Sequence, residues 1–221
     1  VTTMSENENR RSYIGQAWLV ILLAVLFGAA LALVHTTLGP KIAENKRNET
    51  YQVIPVLVPG AVQEQTRELV VTGRNGKENR VYQVFTADGV YRGWVVPAAG
   101  QGFADRIELL IGLDEGLETI TGLYVLGQKE TPGLGDYIKG EDFRGRFAGR
   151  PTSTPVTIVK GEPRTESEVL ALTGATISSE SVARIVNGTI ENLREVLQNR
   201  SAASAASVSP TVSGRGDGDH Q

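Results

Sequence analysis

The sequence predicts an α+β fold: one N-terminal transmembrane helix, then a single domain in which an antiparallel sheet is packed by helices. Three observations carry this expectation. Ser12 to Pro40, a stretch of 29 residues, contains no Asp, Glu, Lys or Arg. Two strand–turn–strand patterns follow it. An apolar stripe at three-and-four spacing then closes the structured part, and 221 residues leave room for one domain of ordinary size.

Residues 1–11 are polar and end in Arg10-Arg11. The anchor is placed at 12–39, where Ala17 to Val34 is nearly all apolar. At about 1.5 Å per helical residue this run crosses roughly 30 Å of hydrocarbon. Tyr13 and Trp18 suit the lipid–water boundary at one end. The run is longer than the about 7–15 residues of a signal-peptide core, and no small-residue cleavage sequence follows it, so it reads as an uncleaved anchor. Arg10 and Arg11 on one flank are balanced by Lys41, Lys46 and Arg47 on the other, so charge does not orient it.

The domain is placed at 40–200. Residues 41–62 read as a juxtamembrane helix running into VIPVLVPG, where Pro55 and Pro59 are expected to end it. Arg80–Ala87 and Val90–Pro97 then flank Asp88-Gly89, and Arg106–Leu113 and Leu117–Leu126 flank Asp114-Glu115-Gly116. Both read as hairpins, giving a four-stranded antiparallel sheet. Gln128–Arg150 is a loop with short helical potential, and Thr154–Lys160 alternates as a strand. Ser178–Asn199 is the clearest helix: Val182, Ile185, Val186, Ile190, Leu193, Val196 and Leu197 fall on one stripe. Residues 201–221 lack Leu, Ile, Phe, Tyr and Trp and are expected to be disordered. The Arg215-Gly216-Asp217 triplet within them is a chance string of a polar tail.

Composition excludes several chemistries. There is no cysteine, the only methionine is Met4, and the two histidines are His35, in the apolar run, and His220, in the tail. The domain therefore builds no disulfide, thiolate cluster, imidazole zinc site, axial haem ligation or histidine-dependent triad. A net charge of −3 and a pI near 5.5 supply no broad basic surface for nucleic acid. Redox chemistry here requires an organic cofactor or a partner.

Two loops have chemical potential. Glu130-Thr131-Pro132-Gly133-Leu134-Gly135-Asp136 is either a rigid corner or a loop whose glycines let backbone approach a planar or anionic ligand, with Leu134 set to touch an apolar ring. Thr173-Gly174-Ala175-Thr176-Ile177-Ser178-Ser179 precedes the amphipathic helix. Its hydroxyls are ordinary helix caps, or they bind a phosphate at the positive helix end, or one is esterified to it. Without a nearby base, Thr176 does not read as a self-activated nucleophile.

Taken together, GLDEGLETITGLYVLGQKETPGLGD at 112–136, TGATISSESV at 173–182 and the single anchor identify a family. The chain resembles the membrane-anchored FMN-binding subunit of the Rnf-type ferredoxin:NAD oxidoreductase complex. It is similar, more distantly, to the corresponding anchored FMN subunit of the sodium-translocating NADH:quinone reductase. The resemblance covers roughly residues 12–198.

The resemblance implies covalent FMN on Thr176 through a phosphoester, installed by a separate flavin transferase that uses FAD. Thr173, Gly174 and Ala175 complete the recognition motif, Ser178 and Ser179 lie at the phosphate end, and Glu130, Thr131, Gly133, Leu134 and Gly135 lie near the isoalloxazine ring. Six positions before Thr176, where the family commonly has an acidic residue, this chain has Leu170, with Glu168 two residues earlier. The implied role is electron transport within an ion-translocating complex of the cytoplasmic (inner) membrane. The partners would be the other membrane subunits of an Rnf-type complex, the transferase and lipid, with the domain facing away from the cytoplasm. No metal and no catalytic residue is implied. Three alternatives remain at this point: an anchored flavin domain of another reductase chain, a binding or sensory domain without flavin, and an anchored hydrolase using Thr176 or a nearby Ser with Lys160 or a carboxylate as base.

Overall fold

A computed structural model describes residues 4–208 of the chain. The chain divides into two compact units, Val1–Asn48 and Glu49–Gln221. The described part of the first unit is helical and belongs to α1, Met4–Leu57. From Ala17 to Val34 every residue is exposed, so the apolar side chains show on all sides of the helix. By length and composition the helix is long and apolar enough to cross a membrane. Pro40 does not interrupt it. Upstream, the Thr36 hydroxyl donates to Ala32 C=O at 2.9 Å and the Thr37 hydroxyl to Leu33 C=O at 2.8 Å, bonds that keep polar groups satisfied within the helix.

The second unit is a five-stranded antiparallel meander with helices on both faces. Its strands are β1 (Val62–Thr72), β2 (Glu78–Phe85), β3 (Tyr91–Gln101), β4 (Arg106–Leu113) and β5 (Ile120–Gly127), in that spatial order. A parallel pair, β6 (Thr157–Val159) and β7 (Glu168–Leu170), lies apart from this sheet. α2 is one turn, Glu141–Gly145, preceded by a 3-10 helix at Gly135–Lys139. The last element, α3, runs Thr176–Val208.

Alternation assigns the two faces. Val81, Trp94, Val96, Leu109 and Ile111 point to one core, which includes Val182, Val186, Leu193 and Leu197 of α3. Tyr82, Val84, Val95 and Leu110 point to the other, with Ile54, Leu57 and Val58 from the end of α1. The end of α1 sits on bare backbone: Gly112 and Gly122 are register partners, and a Cβ at Gly112 would lie 2.4 Å from Leu57 C=O. Thr121 Oγ1 donates to that carbonyl at 2.6 Å, satisfying a group the helix end leaves over. On the opposite face Asn187 exchanges two bonds with the Val156 backbone, at 2.8 and 2.9 Å, fixing α3 to the segment before β6.

Several boundaries differ from expectation, each for a local reason. The sheet has a fifth strand, β1, whose mostly exposed edge buries only Val71 fully and is bulged between Val62 and Arg67. Such a strand has little period-two signal. α1 passes Pro55 and ends at Leu57, two residues before Pro59. β5 starts at Ile120, not Leu117, because Asp114 Oδ1 accepts from Glu118 N–H at 2.7 Å and Thr119 N–H at 3.1 Å and holds that stretch as a loop. The strand expected at Thr154–Lys160 is limited to Thr157–Val159.

α3 is longer than expected at its far end. It continues to Val208, through residues read as disordered, and Ser201 there makes tertiary contact. Ser201 Oγ accepts from buried Trp94 Nε1 at 2.9 Å and lies 3.1 Å from the Tyr91 hydroxyl. The Ala-rich composition after Asn199 supports a helix even without a stripe. The rest of the expected tail lies outside the described residues.

Candidate functional site

Three elements meet at one end of the second unit: the turn between β3 and β4, the loop from Glu130 to Asp136, and the start of α3. Gly102 N–H donates to Asp105 C=O at 2.9 Å and closes the first of these. Asp105 Oδ1 accepts from Arg106 N–H at 2.7 Å, and Lys129 lies 3.3 Å from the same carboxylate. These contacts hold the Asp105 carboxyl below its ordinary pKa, the backbone bond contributing most. In the second element Thr131 C=O accepts from the N–H groups of Leu134 and Asp136, at 3.2 and 3.3 Å, and Gly133, just before Leu134, is at φ +77°. A left-handed residue there is what turns the chain, and glycine takes it without strain.

The third element is a capped helix start. Ala175 N–H donates to Leu172 C=O at 3.0 Å across Gly174, which is at φ +78°. Ser179 N–H donates to Ala175 C=O at 3.0 Å, the bond that opens the helical ladder. The amides of Thr176, Ile177 and Ser178 therefore precede the ladder and are free to meet an acceptor. Gly174 also lets the neighbouring loop in: a Cβ there would lie 3.0 Å from Leu134 Cδ2.

These elements enclose an open groove of about 310 Å³ lined by Phe103, Thr131, Leu134, Gly135, Gly174, Ala175, Thr176, Ile177 and Ser178. That is at the small end of the about 300–1,000 Å³ usual for ligand pockets. Phe103, Leu134 and Ile177 expose large apolar side chains, and Thr176 is half-buried. No lining residue carries a formal charge. The groove thus offers apolar surface for a flat ring, and a hydroxyl beside helix amides for an anion.

The structure brings most of the expected site residues together, though not in one role. Thr131, Leu134, Gly135, Gly174, Ala175, Thr176 and Ser178 line the groove, while Glu130, Gly133, Thr173 and Ser179 do not. Glu130 is buried behind it. Its Oε1 accepts from Phe103 N–H at 3.0 Å and Ala104 N–H at 3.2 Å, and its Oε2 from Ser178 Oγ at 2.5 Å. Ser179 is fully buried, donating to Ala175 C=O at 3.0 Å and accepting from Leu172 N–H at 3.1 Å, so its hydroxyl stitches the helix start to the loop before it. Leu170 lies in β7, its carbonyl accepting from Arg146 at 2.8 Å. Glu168 Oε2 accepts from Arg164 N–H at 2.6 Å, within its own turn.

Sequence reasoning did not find Phe103 or Ile177. Phe103 had a visible signal, an aromatic residue inside the glycine-containing turn GQGFAD. Ile177 had a weaker one, an apolar side chain among hydroxyls where a solvated helix start calls for none.

Comparison with known proteins falls on the same segment. Residues 102–191 match the family described as FMN-binding domain, a span that includes all nine residues lining the groove. A subunit of the ion-translocating oxidoreductase complex of Methanosarcina acetivorans is 26% identical over 177 residues, covering 78% of this chain and 89% of that protein. A subunit of the proton-translocating ferredoxin:NAD(+) oxidoreductase complex of Clostridium ljungdahlii is 34% identical over 100 residues, covering 45% of this chain and 52% of that protein, so the match spans about half of that relative. Among solved structures, NqrC of Shewanella oneidensis superposes with a TM-score of 0.51 at 23% identity, covering 58% of this chain and 63% of that one. That likeness concerns the fold alone. The sequence matches bear out the family resemblance drawn from residues 112–136 and 173–182.

Proposed function

We propose that this chain is the membrane-anchored electron-transfer subunit of an ion-translocating ferredoxin:NAD oxidoreductase complex and carries FMN covalently on Thr176. The observation that carries the reading is the meeting of the Thr176 hydroxyl, the leading amides of α3 and an apolar rim in one uncharged groove.

The residues present fit FMN. The free amides of Thr176, Ile177 and Ser178 and the positive end of α3 would hold the phosphate. Leu134, Phe103 and Ile177 would flank the ring. The close approach of Leu134 to Gly174, where a side chain would intrude, is what keeps the apolar wall beside the helix start. Bound FMN supplies one-electron acceptance and donation. Thr176 contributes its Oγ: in the attachment step it displaces AMP from the FMN phosphorus of FAD and loses its proton. The flavin transferase supplies the catalysis for that step, which agrees with the absence of a histidine, cysteine or charged side chain from the lining.

The exposed groove suits a relay. A tether through the phosphate keeps the cofactor on the protein while leaving the ring side open to a neighbouring protein of the complex. The helix of the first unit anchors the chain in the membrane in a single pass, and we place the domain on the extracytoplasmic side, with the other membrane subunits as partners.

The test is Thr176→Val in the full chain made with an active transferase. Wild type should gain the mass of FMN less one water, retain flavin fluorescence after denaturation and yield a modified peptide containing Thr176. The variant should lose all three while keeping its fold. Covalent flavin persisting in the variant would refute the assignment.

A further inference from the structure

We propose that Glu130 is a positioning residue for this site: its buried carboxylate ties the β3–β4 turn and the first turn of α3 to the 130–136 loop, and so fixes Phe103, Leu134 and Thr176 relative to one another. The consequence for flavin rests on the function proposed above. The geometry does not.

The carboxylate is 4% exposed and stands where three chain segments converge. Its Oε1 takes two adjacent backbone N–H groups, from Phe103 and Ala104, and its Oε2 takes the Ser178 hydroxyl. Separations of 26, 27 and 48 residues make these contacts long-range links across the site. The Ser178 bond is short, at 2.5 Å. A buried carboxylate without donors is costly, so a sequence that places one here must also build its seat.

The seat is visible in two glycines. A Cβ at Gly102 would lie 2.3 Å from Glu130 Oε1 and 2.6 Å from Asp105 C=O. One at Gly135 would lie 2.8 Å from Ser178 Oγ and 2.9 Å from Glu130 Cβ. Each glycine belongs to one of the segments being tied, and each gives up its side chain to the volume of the carboxylate or its partner. The backbone of Glu130 is itself anchored, its N–H donating to Gln128 Oε1 at 2.5 Å.

This arrangement separates touching from placing. Glu130 does not line the groove, yet its three donors belong to Phe103 and Ser178, which do, and to Ala104 beside them. Phe103 is a sensitive reporter, because its side chain is exposed while its amide is held by a buried anion. An exposed turn residue whose amide resists exchange is what this link predicts and an ordinary loop does not.

The experiment uses the full chain in detergent, flavin-free from a host without transferase and loaded from one with it. In the flavin-free form, Glu130→Ala should speed amide exchange at Phe103 and Ala104 by about tenfold or more, the loss of bonds to a charged acceptor, while amides of Leu109 and Ile111 keep wild-type protection. In the loaded form, Glu130→Ala should retain covalent FMN by mass but lose at least about half of its visible circular dichroism and show lower fluorescence anisotropy. Glu130→Gln should restore most of both signals, since its amide oxygen still accepts from the two N–H groups and its NH2 is able to donate to Ser178 Oγ. Ser178→Ala should loosen the ring without exposing the Phe103 amide.

Unchanged exchange at Phe103 and Ala104, or a loaded Glu130→Ala chain with wild-type dichroism and anisotropy, overturns the proposal. If Glu130→Ala does not fold, wild-type dichroism and anisotropy in Ser178→Ala do so. If wild type takes up no flavin, the proposed function fails, and the exchange measurement on the flavin-free chain still decides whether Glu130 makes the link.

Discussion

Replacing Gly135 with alanine separates two reasons for which a loop keeps glycine. Gly135 does not have positive φ, but an added Cβ would lie 2.8 Å from Ser178 Oγ, 2.9 Å from Glu130 Cβ and 3.1 Å from Glu130 Oε2. The hydroxyl can rotate away; a Cβ fixed to its backbone cannot. Crowding of this kind costs about 1–3 kcal/mol, and displacing the Ser178 hydroxyl forfeits a bond to a carboxylate worth about 1.5–3 kcal/mol. Because both effects act on the same pair they do not simply add, and a loss of about 2–4 kcal/mol is expected. Two neighbours serve as references. Gly133 has φ +77° with nothing within 4 Å of its added Cβ, so Gly133→Ala pays only for left-handed backbone, about 1–2 kcal/mol. Gly161 has open space and no positive φ, and Gly161→Ala should change stability by less than about 0.5 kcal/mol. Urea unfolding of the full chain in a Trp18→Phe background, followed by fluorescence of buried Trp94, ranks the three. A Gly133→Ala loss equal to or larger than that of Gly135→Ala would refute the steric argument.

Three further outcomes concern the rest of the domain. Gly112→Ala puts a Cβ 2.4 Å from Leu57 C=O and should cost about 1–3 kcal/mol, read as a lower urea midpoint. Ser201→Ala removes the acceptor of fully buried Trp94 Nε1 and should cost about 1–3 kcal/mol by the same assay; no change would mean that α3 does not pack there beyond residue 200. Burial pushes the Tyr91 hydroxyl up to about 12, partly opposed by its bond to Ser201. The folded state thus holds this proton more tightly than the unfolded chain, so Tyr91 contributes no pH dependence below about pH 10 and its stabilisation is lost as pH rises from there towards 12. Ser201→Ala should move the Tyr91 titration further up, and ultraviolet titration of the tyrosines checks the direction.

What was legible in the sequence depended on how much each residue's own neighbours revealed. The stripe of α3 is a local pattern, and the hairpins β2–β3 and β4–β5 were readable from Asp88-Gly89 and Asp114-Glu115-Gly116 set between apolar runs. β1 was not, because an edge strand with one fully buried side chain presents no such apolar run. The extension of α3 beyond Asn199 was hidden for the opposite reason: Ser201 there meets a tryptophan 107 and a tyrosine 110 residues away, which no local pattern announces. At the site, Thr176, Gly174 and Leu134 could be named from two short motifs. The inward direction of Glu130 could not, since it is set by amides of the β3–β4 turn that no motif mentions.

That inward direction also limits the chemistry available to the groove. Its lining offers only the hydroxyls of Thr131, Thr176 and Ser178 as side-chain polar groups, and Ser178 already donates to Glu130. General acid–base work requires a group free to take or give a proton within hydrogen-bond reach of the substrate. Glu130 lies just behind the groove, but both of its oxygens already accept from the protein, and moving either outward would break a link between the site loops. The carboxylate is therefore committed to structure. A site so built can hold a flat, anionic cofactor in register and leave it exposed to a partner, but from its lining side chains it supplies little to drive bond-making on a second substrate. Electron transfer is the chemistry that needs least from the surrounding side chains beyond position, and position is what Glu130, Gly102, Gly135 and Gly174 provide.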